Sequence, residues 1–215
     1  MAQQAEARSE APAAAPKRRQ ARGERRMAEL LEAAGQVFAD AGYSATTTNA
    51  IAAQAGVSPG TLYQYFSNKD AIADALAEYY TDRLREVIDA VLADGVTGLP
   101  LDALLDRVLD PLVAFYVRNP ACTVLFNGPD SPQRLTDPHL PLHTAMLNRV
   151  GALLAVIAPR LPDDHLARAA EVAVHLFKGT LPLVISAAPE DRPAYVTELR
   201  RALIGYFGLL VRASG

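Results

Sequence analysis

Apolar positions recur along this chain at three- and four-residue spacing, and no stretch sustains a two-residue alternation, so the pattern predicts an all-α protein. From Arg22 onward, Leu30, Leu31, Ala34, Val37, Phe38 and Ala41 fall on one helical face, and Gly42 supplies a left-handed stop. A short second helix carries Ile51, Ala52 and Ala55, opens on the Thr46-Thr47-Thr48 run and closes at Gly56. Ser58-Pro59 reads as the next start. The residue before a proline is pushed toward extended geometry, and proline at the first helical position gives up only an N–H that has no helical partner there. This third helix is expected from Pro59 to about Phe66. Asn68 caps a fourth, in which Ile72, Ala75, Leu76, Tyr79, Leu84, Val87, Ile88 and Val91 form an apolar stripe to about Ala93.

Gly95, Gly98 and Pro100 interrupt the pattern, which then predicts helices over 101–118, 120–127, 139–158, 163–187 and 191–213, about nine in all. The prolines respect this division: Pro120, Pro129, Pro132, Pro138 and Pro141 crowd one irregular segment, and Pro159, Pro162, Pro189 and Pro193 sit at junctions. Pro111 and Pro182 fall inside helical patterns and are expected to kink them. Residues 1–20 are rich in Ala, Gln, Glu and Pro without periodic apolar positions, and are expected to be a disordered arm.

Composition narrows the function classes. The single Cys122 excludes an internal disulfide and a multi-thiolate metal site, and fits a reducing cytoplasm. No run of about 18 uninterrupted apolar residues and no signal-like leader are present, so neither a membrane span nor a signal peptide is expected. The net charge of −3 speaks against nucleic-acid binding until its distribution is considered. Residues 17–26, KRRQARGERR, hold six cations against one Glu, whereas the last two thirds of the chain are mildly acidic. That asymmetry points to a polyanion at one end.

The two short helices TTTNAIAAQA and PGTLYQYF, joined through Gly56-Val57-Ser58, form a helix-turn-helix pattern, with glycine in the turn and small alanines where the helices cross. Such a unit lays its second helix in a DNA major groove, with the N-terminal residues on base edges; here these are Pro59, Gly60, Thr61 and Tyr63. Leu62 and Phe66 take the core direction, freeing the hydroxyls of Tyr63 and Tyr65 for phosphate oxygens, although the same rings would also serve as half-buried packing groups. Thr47, Thr48 and Asn49 open the preceding helix with short groups suited to phosphate or base contacts, one threonine being needed as a cap. A cation at Lys69, in the first turn of a helix, opposes the macrodipole by a few tenths of a kcal/mol. A bound phosphate would offset this, and a solvated pair with Asp70 would too.

From Leu30 to Leu76, without gaps, the sequence resembles the DNA-binding domain of the tetracycline-repressor-like (TetR) family of transcriptional regulators. The matching features are Phe38, Gly42 and Tyr43 at the end of helix one, the Thr pair followed by Ile-Ala, the Ala-Gly-Val-Ser turn, and the T-L-Y-x-Y-F-x-x-K block. The resemblance implies a DNA-binding domain over 21–67 and a ligand-binding and dimerisation domain over 68–215, with 68–93 as the connecting helix. It implies Tyr63 in the groove and Tyr65 and Lys69 on the backbone, and Ser58, which starts the same helix, is counted with the DNA-binding candidates. The chain departs from the pattern in one respect: no Lys or Arg occurs between Arg26 and Lys69, so Asn49 stands where relatives often carry a cation and bidentate guanine readout is missing. Arg18, Arg19, Arg22, Arg25 and Arg26 would supply the electrostatics from the arm, or form a solvated tail.

The remaining helices imply an effector site and a second copy. Apolar positions cover several faces of the last two helices, which suits an isologous four-helix homodimer interface. Candidate pocket residues are Phe115, Tyr116, Cys122, Phe126, His143, Met146 and Phe177. His139 and His143 share a spacing adequate for two metal ligands but lack the third and fourth, so no metal and no cofactor are expected. No nucleophile motif or phosphate loop appears, which speaks against an enzyme. The expected function is a homodimeric, ligand-responsive repressor of a double-stranded DNA operator, released by a small apolar effector. The alternative is a helical small-molecule or metal-binding protein whose helix-turn-helix is only a packing unit.

Overall fold

A computed structural model of the chain describes residues 15–93, 98–128, 130–136 and 141–214. All regular structure among them is helical: α1 (Ala15–Ala45), α2 (Thr48–Gln54), α3 (Pro59–Tyr63), α4 (Lys69–Ala93), α5 (Leu101–Arg118), α6 (Pro120–Asn127), α7 (Gln133–Thr136), α8 (Pro141–Ile157), α9 (Asp163–Ser186) and α10 (Arg192–Ser214). The all-helical expectation holds, and most boundaries fall within a few residues of those the apolar pattern predicts.

The differences have local causes. α1 begins at Ala15, so residues 15–20, expected within a disordered arm, are helical. Their Ala, Lys, Arg and Gln are strong helix formers that extend a helix already anchored by Leu30 and Phe38. The rest of the expected arm lies outside the described residues. Gly42 does end the main run of α1, yet at φ 78°, ψ 170° rather than in the left-handed helical well. That region is open essentially to glycine alone, and the chain leaves it into one more turn ending at Ala45. The short α7 forms inside the proline-crowded segment, where no helix was expected. α5 and α9 continue through Pro111 and Pro182 as single helices. Around Pro182, Leu181 and Val184 are fully buried, so packing on both sides holds the helix where the missing N–H weakens it.

Two groups of buried residues merge into one core. Leu30, Ala34 and Phe38 of α1 meet Ile51 and Ala52 of α2, Leu62 and Phe66 of the α3 region, and Ile72, Ala73 and Leu76 of α4. Behind them, α5, α6, α8, α9 and α10 enclose a larger core that includes Leu105, Leu109, Leu125, Leu154, Leu181, Leu199 and Leu203. α1 packs along α6 as well as on α2 and α4, which joins the two. Buried rings continue the connection: Tyr80 of α4 meets Phe115 edge-on at 6.3 Å, Phe115 meets Tyr116 at 5.6 Å, and Tyr116 meets Phe177 of α9 at 5.8 Å.

α9 alone among the described helices is long and apolar enough to cross a bilayer by length and composition. Here it is a core helix: Leu166, Ala169, Ala170, Ala173, Phe177, Leu181 and Val184 are buried against α5, α8 and α10. Phe38 has no exposed surface, so Phe38→Ala should lower unfolding free energy by about 3–5 kcal/mol, read from urea titrations at fixed protein concentration. A loss below about 1 kcal/mol would mean that this ring does not fill the core beneath the helix-turn-helix.

Candidate nucleic-acid interface

The turn between α2 and α3 is built by main-chain bonds that only a glycine-containing corner permits. Gly56 lies at φ 64°, Gly56 N–H donates to Ala53 O at 3.1 Å, and Val57 N–H donates to Ala52 O at 2.9 Å. Ser58 then takes extended geometry (φ −70°, ψ 151°), and its Oγ accepts from Thr61 N–H at 3.1 Å while Pro59 opens the helix. α3 proper ends at Tyr63, but Tyr65 N–H and Phe66 N–H both still donate to Leu62 O at 3.0 Å. Leu62 and Phe66 point inward, as the spacing predicts, and their burial sets the outer face. That face holds Pro59, Gly60 and Tyr63, the last 51% exposed. A Cβ built on Gly60 would meet only Ser58 Oγ, at 3.8 Å, so the backbone there is open to close approach from outside.

The three threonines before α2 separate into three roles. Thr46 is buried and its Oγ1 donates to Gly42 O at 2.6 Å. Thr47 is the cap, accepting from Ala50 N–H at 3.1 Å. Thr48 Oγ1 lies 3.1 Å from Tyr63 Oη, linking the two helices of the motif at its surface, with Asn49 exposed beside it. Tyr65 is half-buried and packs against the core, and Thr61 is half-buried with its hydroxyl 2.9 Å from Ser58 Oγ. Arg22 and Arg25 are exposed on α1, and Arg26 pairs with Glu29 at 2.6 Å.

Lys69 has a use that neither sequence-based alternative foresees. Its ammonium donates to Tyr43 O at 2.8 Å and Ser44 O at 3.2 Å, and stands 4.5 Å over the Tyr43 ring. These carbonyls close the last turn of α1, so the negative end of one helix offsets a cation that opposes the dipole of the next. Asp70 is not its partner: Tyr43 Oη donates to Asp70 Oδ1. Among the described residues these two carbonyls are the hydrogen-bond acceptors of the ammonium.

A residue from far along the chain completes this corner. Asp130, between α6 and α7, accepts from Ser44 N–H at 2.7 Å. That N–H, aided by the Lys69 charge, holds its carboxyl below the usual carboxylate range. Nothing in the linear sequence marks Asp130, which sits among prolines and reads as an ordinary turn residue.

A second feature is a cavity of about 110 Å³ among α4, α5, α8, α9 and α10, walled almost wholly by carbon. Of the expected pocket residues, Met146 and Phe177 line it. Phe115 is instead fixed between Tyr80 and Tyr116, and Phe126 packs partly buried against the core; neither lines the cavity. His143, Tyr116 and Cys122 do not line it either. No group of three metal-ligating side chains occurs among the described residues, and His139 lies outside them.

The Asp130 tie gives a pH-dependent expectation. Because the folded carboxyl ionises more readily than an unfolded one, its bond to Ser44 N–H is fully present above about pH 4 and is lost as pH falls through the depressed value. Asp130→Ala should therefore speed hydrogen exchange at the Ser44 amide about tenfold or more at pH 7, with little change at the Leu30 amide. Equal exchange in both proteins would remove the tie.

Comparison with known proteins agrees with this arrangement. A family profile described as "Bacterial regulatory proteins, tetR family" matches residues 30–76, and one described as "Tetracyclin repressor-like, C-terminal domain" matches residues 99–210. The HTH-type transcriptional repressor KstR2 of Mycobacterium tuberculosis is 37% identical over 83 residues, covering 37% of this chain and 38% of the relative. The nucleoid occlusion factor SlmA of Sodalis glossinidius is 34% identical over 104 residues, covering 48% and 51%. The chain thus matches about half or less of the length of these curated relatives. A TetR-family regulator from Streptomyces coelicolor superposes with a TM-score of 0.61 at 29% identity, covering 86% of this chain and 99% of that one. A TetR-like regulator from Rhodococcus sp. RHA1 reaches 0.66 at 22% identity over 85% and 96%, a likeness of fold.

Proposed function

Because the chain belongs to the tetracyclin repressor-like (tetR) family of bacterial regulatory proteins, we propose that it is a homodimeric transcriptional repressor, acting in the cytoplasm and released from a pseudo-palindromic DNA operator by a small, largely apolar effector. The observation that carries this reading is the outer face of α3, where a rigidly capped helix start presents Gly60 and the exposed Tyr63 while Leu62 and Phe66 are committed to the core. In this reading Tyr63, Thr61, Gly60 and Pro59 meet base edges, and Thr47, Thr48, Asn49, Ser58, Tyr65 and Lys69 meet phosphates or flanking bases. The basic first turns of α1 add long-range attraction to the duplex. The DNA-binding unit spans 21–67, and 68–215 binds effector and partner.

Dimerisation is supported by the outer faces of α9 and α10. Val172 and Leu183 on α9, and Leu209 and Val211 on α10, are exposed apolar side chains. Arg168, Val172, Leu176 and Gly179 follow helical spacing along a shallow groove of α9, and nothing stands within 4 Å of a Cβ built on Gly179, so a second helix has room to approach. Two copies related by a two-fold axis would place their α3 helices about 34 Å apart, or a multiple of that distance. α4 begins at the helix-turn-helix and lines the cavity at Ile88 and Val91, so an effector that prefers one setting of α4 biases head spacing. A coupling of about 1–3 kcal/mol changes operator affinity roughly 5- to 150-fold.

Gel-shift titrations on duplexes selected from a random library test the interface. Binding should be sequence-selective and weaken steeply with salt; Tyr65→Phe and Lys69→Ala should weaken every selected site alike, whereas Tyr63→Ala should change which sites are preferred. Unaltered binding by all three would place the DNA elsewhere. Leu183→Arg combined with Leu209→Arg should yield a monomer by sedimentation and abolish the preference for paired half-sites; a dimer surviving both changes would move the interface off α9 and α10.

A further inference from the structure

The cavity has one end unlike the rest. Three of the helices that wall it each carry a polar side chain one turn beyond a lining residue and on the same face: Tyr116 after Leu112 on α5, His143 before Met146 on α8, and Lys178 after Val174 on α9. α8 and α9 are consecutive helices packed along each other, so a residue before the cavity on one and a residue beyond it on the other meet at the same end. They do: Lys178 Nζ lies 3.2 Å from His143 Nδ1. The Tyr116 ring packs on Phe177, whose side chain lines the cavity, and its hydroxyl is hydrogen-bonded to the buried Cys122 thiol.

Lys178 is the anomaly in this cluster. Cations taken out of water are ordinarily paired with a carboxylate, yet the polar partner this half-buried ammonium has among the described residues is a histidine nitrogen. Burial lowers its pKa, as expected for a desolvated cation without a counter-charge. Among the described residues the neighbours do not supply one. Burial pushes the Tyr116 hydroxyl and the Cys122 thiol upward, so both stay protonated, and burial with the Lys178 charge holds His143 down. Glu171 acts on His143 from an exposed position, where its carbonyl accepts from, or is faced by, His175 Nδ1 at 2.8 Å. Arg149, the cation that does line the cavity wall, is already paired with Asp89 of α4.

We propose that Lys178, with His143 beside it, is the head-group subsite of the effector cavity, and that the effector is an amphipathic monoanion with a carboxylate on Lys178 and a short aliphatic body in the carbon-walled bore. This rests on the reading of the cavity as the effector site. One ammonium without a second free cation matches one negative charge better than the two of a phosphate monoester. The volume of about 110 Å³ is below the roughly 150 Å³ that accommodates benzene in an engineered cavity, so it suits a short aliphatic chain better than a ring. Lys178 was not marked by its sequence context, where it appears as a solvent-directed charge within the apolar run VAVHLFKGTLPLVI.

Isothermal titration of the full chain with hexanoate and with hexan-1-ol separates the head group from the body. Hexanoate should bind about tenfold or more tightly than hexan-1-ol, as a charge-assisted bond predicts. The gap should close in Lys178→Met and persist in Lys178→Arg, while the affinity for hexan-1-ol stays the same in all three proteins. Equal binding of the two probes by the wild-type chain, or an undiminished preference in Lys178→Met, overturns the head-group subsite while leaving an apolar effector cavity in place. Binding of neither probe overturns both. Should Lys178→Met not fold, the wild-type comparison and Lys178→Arg decide the outcome.

Discussion

α4 has to complete two regions of one core with one continuous helix. Near its start, Ile72, Ala73 and Leu76 are buried beneath the helix-turn-helix, and toward its end Ile88 and Val91 form part of the cavity wall. Main-chain bonds at every turn make a helix of this length stiff, so the packing around Ile88 and that around Leu76 share one continuous element. Tyr80 sits between the two regions and is buried against Phe115, which passes the constraint to α5 and, through Tyr116, to Phe177 of α9. The contacts along this route are between buried aromatic rings, and its rigidity comes chiefly from close packing.

Polar contacts do a different job at the other joint, where α1 ends. The backbone at Gly42 takes a conformation closed to other residues, and a Cβ there would stand 3.6 Å from the Asp130 carboxylate. Lys69 holds the two carbonyls that follow, Asp130 holds the Ser44 N–H, and Tyr43 packs parallel to Phe38 with ring centroids 5.8 Å apart. Directed bonds suit this place because the α1–α2 connection is exposed at Ser44 and Ala45 and offers little apolar surface to bury. Their orientation fixes where α2 begins, and through the Thr48–Tyr63 hydroxyl contact it bears on α3 as well.

The cavity and the joint are alike in one respect: in each, the hydrogen-bond acceptors of a lysine ammonium among the described residues are not carboxylates. Lys69 is satisfied by the carbonyl end of a neighbouring helix, which exists only because α1 and α4 meet there. Lys178 has a histidine nitrogen and a protonated thiol in its surroundings. Equal charges in the sequence thus have unequal fates, decided by which helix ends or helix faces are brought beside them.

Much of the local architecture was readable before any coordinates. The helix starts at Ser58-Pro59 and Asn68 depend on short-range bonds, Ser58 Oγ to Thr61 N–H and Asn68 Oδ1 to Ala71 N–H at 2.8 Å, which the sequence specifies residue by residue. The inward direction of Leu62 and Phe66 follows from helical period alone, and with it the outward direction of Tyr63. That α9 runs on through Pro182 and that Phe115 lies in the core away from the cavity were settled by neighbours distant in sequence. So were the Asp130 contact, made across 86 residues, and the meeting of His143 with Lys178 across 35. The division has a physical reason: caps, turns and amphipathic faces act within a few residues, whereas electrostatic partners and cavities are properties of the space between helices and exist only once those helices have packed.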